Sequence, residues 1–138
     1  MRRIVLILSL TFMAGVVAGV IPGRALNAQQ EAVKRTDLLK TDLEGVEGKE
    51  AHVFLVELAP GGATGKHFHP GHELAYVLDG AATVELEGKK PVTQKRGAVF
   101  HLTPKQVHDV KNPGKTVPMK ALVFALYEKG QPVATPVK

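Results

Sequence analysis

The sequence predicts an all-β domain, a small double-sheet jelly roll or closed barrel, behind an N-terminal export segment. Three observations carry this. From Val33 onward the chain is a succession of short apolar runs broken by Gly, Pro, Asn and Asp, the pattern of strands joined by short turns. No stretch keeps an apolar period of three to four residues over ten or more positions, whereas Thr83-Val84-Glu85-Leu86-Glu87 alternates strictly, as a half-buried strand does. About eight such runs in about a hundred residues suit a closed or double-sheet architecture better than an open sheet with exposed edges.

The segment before Val33 has a different grammar. Met1, Arg2 and Arg3 precede an apolar run from Ile4 to Ile21, followed by Pro22, Gly23 and polar residues, the order of a secretory signal or an uncleaved anchor. Cleavage after Ala28 leaves Leu26 at the third position back, larger than the preferred small residue, and a cut after Ala18 falls inside the apolar run. Retention as an anchor helix also fits, because the run from Ile4 to Ile21 at about 1.5 Å per residue spans roughly 27 Å, close to a bilayer core. Either way the Arg pair stays inside and the domain is delivered outside, to a periplasmic or other extracytoplasmic location. The chain divides into residues 1–28 (signal or anchor), 29–50 (an N-terminal strand and linker), 51–130 (the barrel) and 131–138 (a tail).

Predicted strands run from Val33 to Lys40, His52 to Leu58, Lys66 to His69, Glu73 to Leu78, Ala81 to Leu86, Ala98 to Leu102, Val107 to Val110 and Met119 to Tyr127. The runs Val53 to Val56 and Ala121 to Leu126 are apolar at consecutive positions. That implies burial on both faces, one of them against a second subunit in a homodimer. The tail from Gln131 to Lys138 holds two prolines and no periodicity; it is expected to be frayed or laid across a neighbour.

Composition excludes several functions. The net charge is +5, but Arg2, Arg3 and Arg24 belong to the export segment, and without them 15 basic residues face 13 acidic ones. The remaining lysines are scattered with no basic helix and no interleaved aromatics, so nucleic acid is rejected as a partner. The chain has no Cys, which removes disulfides, thiolate ligands, Cys nucleophiles and a lipoprotein anchor from consideration.

The chemistry concentrates in five residues. His67 and His69 flank Phe68, and strand alternation sends both imidazoles to one face, about 6 to 7 Å apart along the chain. Pro70, Gly71 and His72 make a turn that brings the next strand back, so that Glu73 offers a carboxylate to the same centre. His108 follows the turn Thr103-Pro104-Lys105-Gln106 and completes a four-ligand set. Three imidazoles and a carboxylate suit one divalent transition metal, Fe, Mn, Ni, Cu or Zn, with positions left for water or substrate. His101 interrupts the apolar run Val99-Phe100-His101-Leu102 and is the one candidate acid/base beside such a metal.

The spacing Gly61, His67, His69, Glu73, Gly80 resembles the first motif of the cupin superfamily without a gap. The second motif is looser: Gly97, His108 and Asn112 stand at the expected distances, but Pro104 is displaced by one and Lys105 replaces the usual turn glycine. The resemblance, to the small single-domain cupins, covers roughly Val53 to Leu126. It implies a double-stranded β-helix of six to eight strands with a metal inside, often as a dimer formed through outer strands. It does not supply a reaction, because this fold serves oxygenases, decarboxylases, isomerases and binding proteins.

Other residues carry plainer expectations. His72 is read as a surface histidine donating to a carboxylate, and His52 as a satisfied structural one. Ala75 and Val77 share the side of Glu73, with Tyr76 opposite. Phe54, Phe68, Phe100, Phe124 and Tyr127 are core or cavity wall. Gly61, Gly80 and Gly97 supply positive φ in turns, and Asn112 closes a turn with its amide. The sequence leaves three functions open: a metal-dependent enzyme acting on a small molecule, a module that binds a small molecule without transforming it, and a purely structural barrel.

Overall fold

The computed structural model describes residues 32–138, and within them the chain forms ten strands and no helix. They are β1 (Val33–Asp42), β2 (Lys49–Leu58), β3 (His67–Phe68), β4 (His72–Asp79), β5 (Ala81–Leu86), β6 (Val92–Lys95), β7 (Val99–Leu102), β8 (His108–Lys111), β9 (Met119–Glu128) and β10 (Thr135–Pro136). The predicted signal or anchor, residues 1–28, lies outside the described residues.

Two five-stranded antiparallel sheets face each other, in the orders β1-β2-β9-β4-β7 and β10-β3-β8-β5-β6. After β2 the chain passes back and forth between the sheets, apart from the β5–β6 hairpin, which makes the jelly roll. Gly80 serves one such crossing, between β4 and β5: its φ is 69°, and an added Cβ would sit 2.9 Å from the Pro118 carbonyl oxygen. Glycine is required there on both counts.

The central strand β9 shows how the pattern builds the core. Met119, Ala121, Val123, Ala125 and Tyr127 are all buried, while Lys120, Phe124 and Glu128 between them are exposed. Side chains on a strand point alternately to its two faces, so every second residue enters the barrel. On β4, Glu73, Ala75 and Val77 point inward and Tyr76 outward, as expected from sequence. Leu58, Val77 and Met119 are essentially inaccessible, and burying each such side chain stabilises by about 1.5–3 kcal/mol. The inward residues in mid-sheet are small, notably Ala75 and Ala121, and the space they leave is a cavity of about 720 Å³ between the sheets.

Differences from the sequence reading have simple causes. Strand β6 was not predicted because Val92-Thr93-Gln94-Lys95 is polar; it is an edge strand held by one ladder to β5. Strand β1 pairs with β2 along its whole length and so forms the edge of the first sheet. The tail is neither frayed nor laid on a neighbour: its Thr135 and Pro136 pair with Phe68 and His67 of the same chain. Phe124 is no core residue but 41% exposed, because alternation on β9 gives the inward positions to Val123 and Ala125.

Asn112 closes a turn, as expected, and does more. Its buried Nδ2 donates to the carbonyls of Leu58, Ala59 and Val117 at 3.1, 3.2 and 2.9 Å, and its Oδ1 accepts from the Gly114 amide at 2.9 Å. One side chain thereby ties the end of β2 to the turn before β9. Asn112→Ala is expected to cost roughly 2 kcal/mol or more, since buried carbonyls lose their donor. Asn112→Asp, which sets a carboxylate against those three oxygens, is expected to cost more than alanine; urea midpoints for the two variants check the order.

Candidate metal centre

Two short segments deliver the three histidines. His67 in β3 pairs directly with His108 in β8, and His69 follows two residues after His67 on the same face. The three rings lie with centroids 4.3, 4.7 and 4.9 Å apart, and one ring nitrogen from each falls within 4.8 Å of the others. The turn before His108 keeps its shape although Lys105 occupies the glycine position. Lys105 takes the left-handed conformation itself, with φ of 60°, and its amide donates to the His69 carbonyl at 2.9 Å. Thus the substituted turn still aims His108 inward, where it is buried.

Hydrogen bonds fix the tautomers. Nδ1 of His67 donates to the Gly65 carbonyl at 2.7 Å, Nδ1 of His69 to Val133 at 2.6 Å, and Nδ1 of His108 to Gln106 at 2.8 Å. A carbonyl only accepts, so each Nδ1 carries a proton and each Nε2 is turned to the centre; in His69 and His108, which burial keeps neutral, that Nε2 is a bare lone pair. Nε2 of His69 lies 3.2 Å from Nε2 of His67 and 3.2 Å from Oε2 of Glu73. The Nε2 of His69 therefore faces a second imidazole nitrogen and a carboxyl oxygen at once. A cation fits between such groups, and backbone partners on the distal nitrogens are the usual support of metal-binding imidazoles. Two nitrogens about 2.0–2.1 Å from one ion stand roughly 2.8–3.4 Å apart at right-angled to tetrahedral geometry, which the spacing of His67 and His69 matches.

Burial tunes the same groups. It holds His69 and His108 neutral, with pKa values lowered to about 3 and about 4 against opposing help from their carbonyl partners. It raises Glu73 to about 7, against the lowering effect of the Tyr127 hydroxyl and of Arg35. Tyr127 donates its hydroxyl to Oε1 of Glu73 and so turns the other oxygen, Oε2, toward His69. Burial and the neighbouring Glu73 keep that phenol protonated.

The expectation of an acid/base at His101 is not met by its position. On β7 Phe100 and Leu102 line the cavity, and alternation turns the exposed His101 to the outer face. There its Nε2 lies 2.9 Å from Nδ1 of His72. His72 is a surface histidine, but its partner is this imidazole and not a carboxylate. His52 is satisfied and structural, 2.8 Å from Glu50.

Sequence reasoning missed two cavity features. Arg35 of β1 lines the cavity beside the histidines; the half-buried pair Val33 and Arg35, between exposed Lys34 and Thr36, carries the alternation that would have found it. Val133, from the tail, supplies the carbonyl to His69 and has no sequence signal, because it acts through its backbone.

Two antiparallel sheets enclosing a histidine cluster define the class, a double-stranded β-helix barrel with a candidate metal site. A family model described as the cupin domain matches residues 54–125. The chain belongs to the cupin family. Among solved structures it is similar to a cupin-like protein from Thermotoga maritima, at 26% identity and a TM-score of 0.58 over 76% of this chain and 75% of that one. The DMSP lyase DddQ from Ruegeria pomeroyi matches at 18% identity and a TM-score of 0.63, over 78% of this chain and 53% of its own. The polyketide cyclase RemF from Streptomyces resistomycificus matches at 21% and 0.61, over 78% and 72%. No curated protein sequence matches significantly.

Stability of the metal-free protein is expected to follow pH through these groups. Unfolding returns His69 and His108 from about 3 and 4 to ordinary values near 6.5, so the unfolded chain takes up protons the fold refuses. Their contribution is full above pH 6.5 and is lost as pH falls. Glu73, raised from 4.5 to about 7, holds a proton the unfolded chain releases; its contribution is present at low pH and lost as pH rises to 7. Two groups outweigh one, so stability should climb by about 1 kcal/mol per pH unit from about pH 4.5 to 6 and then level or dip slightly toward 7. Urea titrations in chelator across this range check it, and a flat profile would mean solvated histidines.

Proposed function

We propose that this chain is an exported, metal-dependent cupin acting on a small molecule in the barrel cavity. One divalent transition metal, Fe, Mn, Ni, Cu or Zn, is held by His67, His69, His108 and Glu73. The observation that carries this is the unprotonated Nε2 of His69 facing both a second imidazole nitrogen and a carboxylate oxygen. A bound ion supplies Lewis acidity to a coordinated oxygen of the substrate. The chain's own residues do the rest: Tyr127 orients Glu73, the backbone carbonyls orient the imidazoles, and the apolar walls exclude water around the ligand. The reaction class is oxygenation, decarboxylation or isomerisation. The lyase and the cyclase among the structural neighbours share the fold at identities too low to pass on a reaction.

The alternative is a module that binds its ligand without changing it. The outward position of His101 favours it, since Glu73 and Tyr127 are then the proton-carrying groups left beside the histidines. Metal-dependent O2 uptake or CO2 release from a panel of phenols, keto acids and dicarboxylates separates the two readings.

Elemental analysis of the protein purified without a His tag is expected to give about one metal per chain, and His67→Ala with His69→Ala to abolish it. Metal should also raise the melting temperature of the natural sequence and leave the double variant unmoved. Equal metal content in both proteins would overturn the assignment.

We also propose a homodimer through the outer face of the first sheet. Two cross-strand rows there are apolar, Leu39-Val53-Phe124-Leu74 and Leu55-Leu122-Tyr76-Val99, by the registers of β1, β2, β9, β4 and β7. Leu39, Leu74, Tyr76, Val99 and Phe124 are each more than 40% exposed, an unusual concentration for a monomer's surface. Phe124→Glu is expected to yield a monomer with its metal content intact, read by sedimentation; an unchanged sedimentation coefficient would refute this interface.

A further inference from the structure

The cavity wall carries a partly buried cationic side chain that the metal centre does not use. Arg35 reaches in from β1, an element outside the 54–125 segment that the family shares. Its guanidinium lies 3.6 Å above the ring of Phe54, and its Nε donates to Oδ1 of the rim residue Asp37 at 2.7 Å. The stack takes one face of the guanidinium and the ion pair takes its Nε, and the side chain lines the cavity. It lines the cavity together with His67 and His108 of the facing sheet, and its positive charge acts on Glu73 and Tyr127, which stand on its own sheet.

The charge balance of the walls is lopsided. Among the lining residues Arg35 and, at the exposed rim, Lys66 face one acid, Glu73, which Tyr127 engages; Asp37, the ion-pair partner of Arg35, is exposed and lies outside the lining. A divalent ion would add further positive charge. The other walls are apolar, with Phe54, Val56, Phe100, Met119 and Val123 among them. A cavity of about 720 Å³ is within the range of about 300–1,000 Å³ that takes small organic molecules.

We infer that Arg35 anchors the anionic end of the ligand, and that the site is built for small monocarboxylates with an apolar body. The planar fork of a guanidinium pairs with both oxygens of a carboxylate, while the aliphatic or aromatic remainder lies against the apolar wall. This rests on the reading of the cavity as the ligand site and names its ligand class. A purely structural Arg35 would contribute its stack and its rim ion pair, worth little at an exposed Asp, and would not discriminate between ligands.

The test is titration calorimetry on the full metal-loaded chain with hexanoate, 3-phenylpropanoate and their primary amides, comparing Arg35 with Arg35→Gln and Arg35→Lys. The natural protein should bind each carboxylate at least about tenfold tighter than its amide, the effect of one charge-assisted pair. Because a metal also attracts carboxylates, the decisive quantity is the change in that ratio. Arg35→Gln should cut it at least about fivefold with amide affinity unchanged, and Arg35→Lys should restore part of it. An unchanged ratio in Arg35→Gln, or no preference in the natural protein, overturns the inference. Should Arg35→Gln fail to fold, Arg35→Lys decides: the ratio must fall at least about twofold because the fork is lost. Metal content is measured on the same samples. Full metal without the Arg35-dependent preference sinks this proposal alone, whereas absent metal sinks the metal centre and leaves the ratio to be read in the metal-free protein.

Discussion

The structure turns on three imidazoles whose protons are committed elsewhere. Each Nδ1 donates to a backbone carbonyl, of Gly65, Val133 or Gln106, and each Nε2 is thereby turned toward the same few ångströms. The cluster presents several lone pairs to one point. It persists because the ladders of two sheets, pairing His67 with His108 and Glu73 with Ala125, hold the side chains where they are. The fold supplies the rigidity and a cation supplies the compensation, the division of labour common to metal-binding proteins.

Much of this was readable from residues alone. The alternating runs gave eight of the ten strands, and the spacing of His67, His69, Glu73 and His108 placed four groups within one barrel. Gly61, Gly80 and Gly97 all adopt the positive φ expected of them. What failed did so for definable reasons. His101 was assigned by its interruption of an apolar run, but on a four-residue strand alternation decides the facing, and Phe100 and Leu102 hold the inward places. Strand β10 and the Val133 carbonyl act through main-chain atoms in a stretch with two prolines, where no side-chain pattern exists to be read. Lys105 shows the converse: a departure from the family pattern that the backbone absorbs by putting a lysine where glycine is usual.

Part of the cavity lies outside the segment that the family model matches. Residues 54–125 carry the histidines and Glu73, whereas Arg35, Tyr127 and Val133 lie outside that segment. One orients the carboxylate, one orients an imidazole, and one brings a cationic charge to the cavity wall.

The alanines of the central strands have a final consequence. Where Ala75 and Ala121 face inward, the sheets meet over open volume instead of over interdigitated side chains, so the empty barrel is less tightly packed than a protein of its size could be. An apolar guest lodged there would make the contacts that larger residues would otherwise make, completing the interior from outside the polypeptide. Occupancy and cohesion are therefore coupled, and the protein should be at its most rigid when it is full.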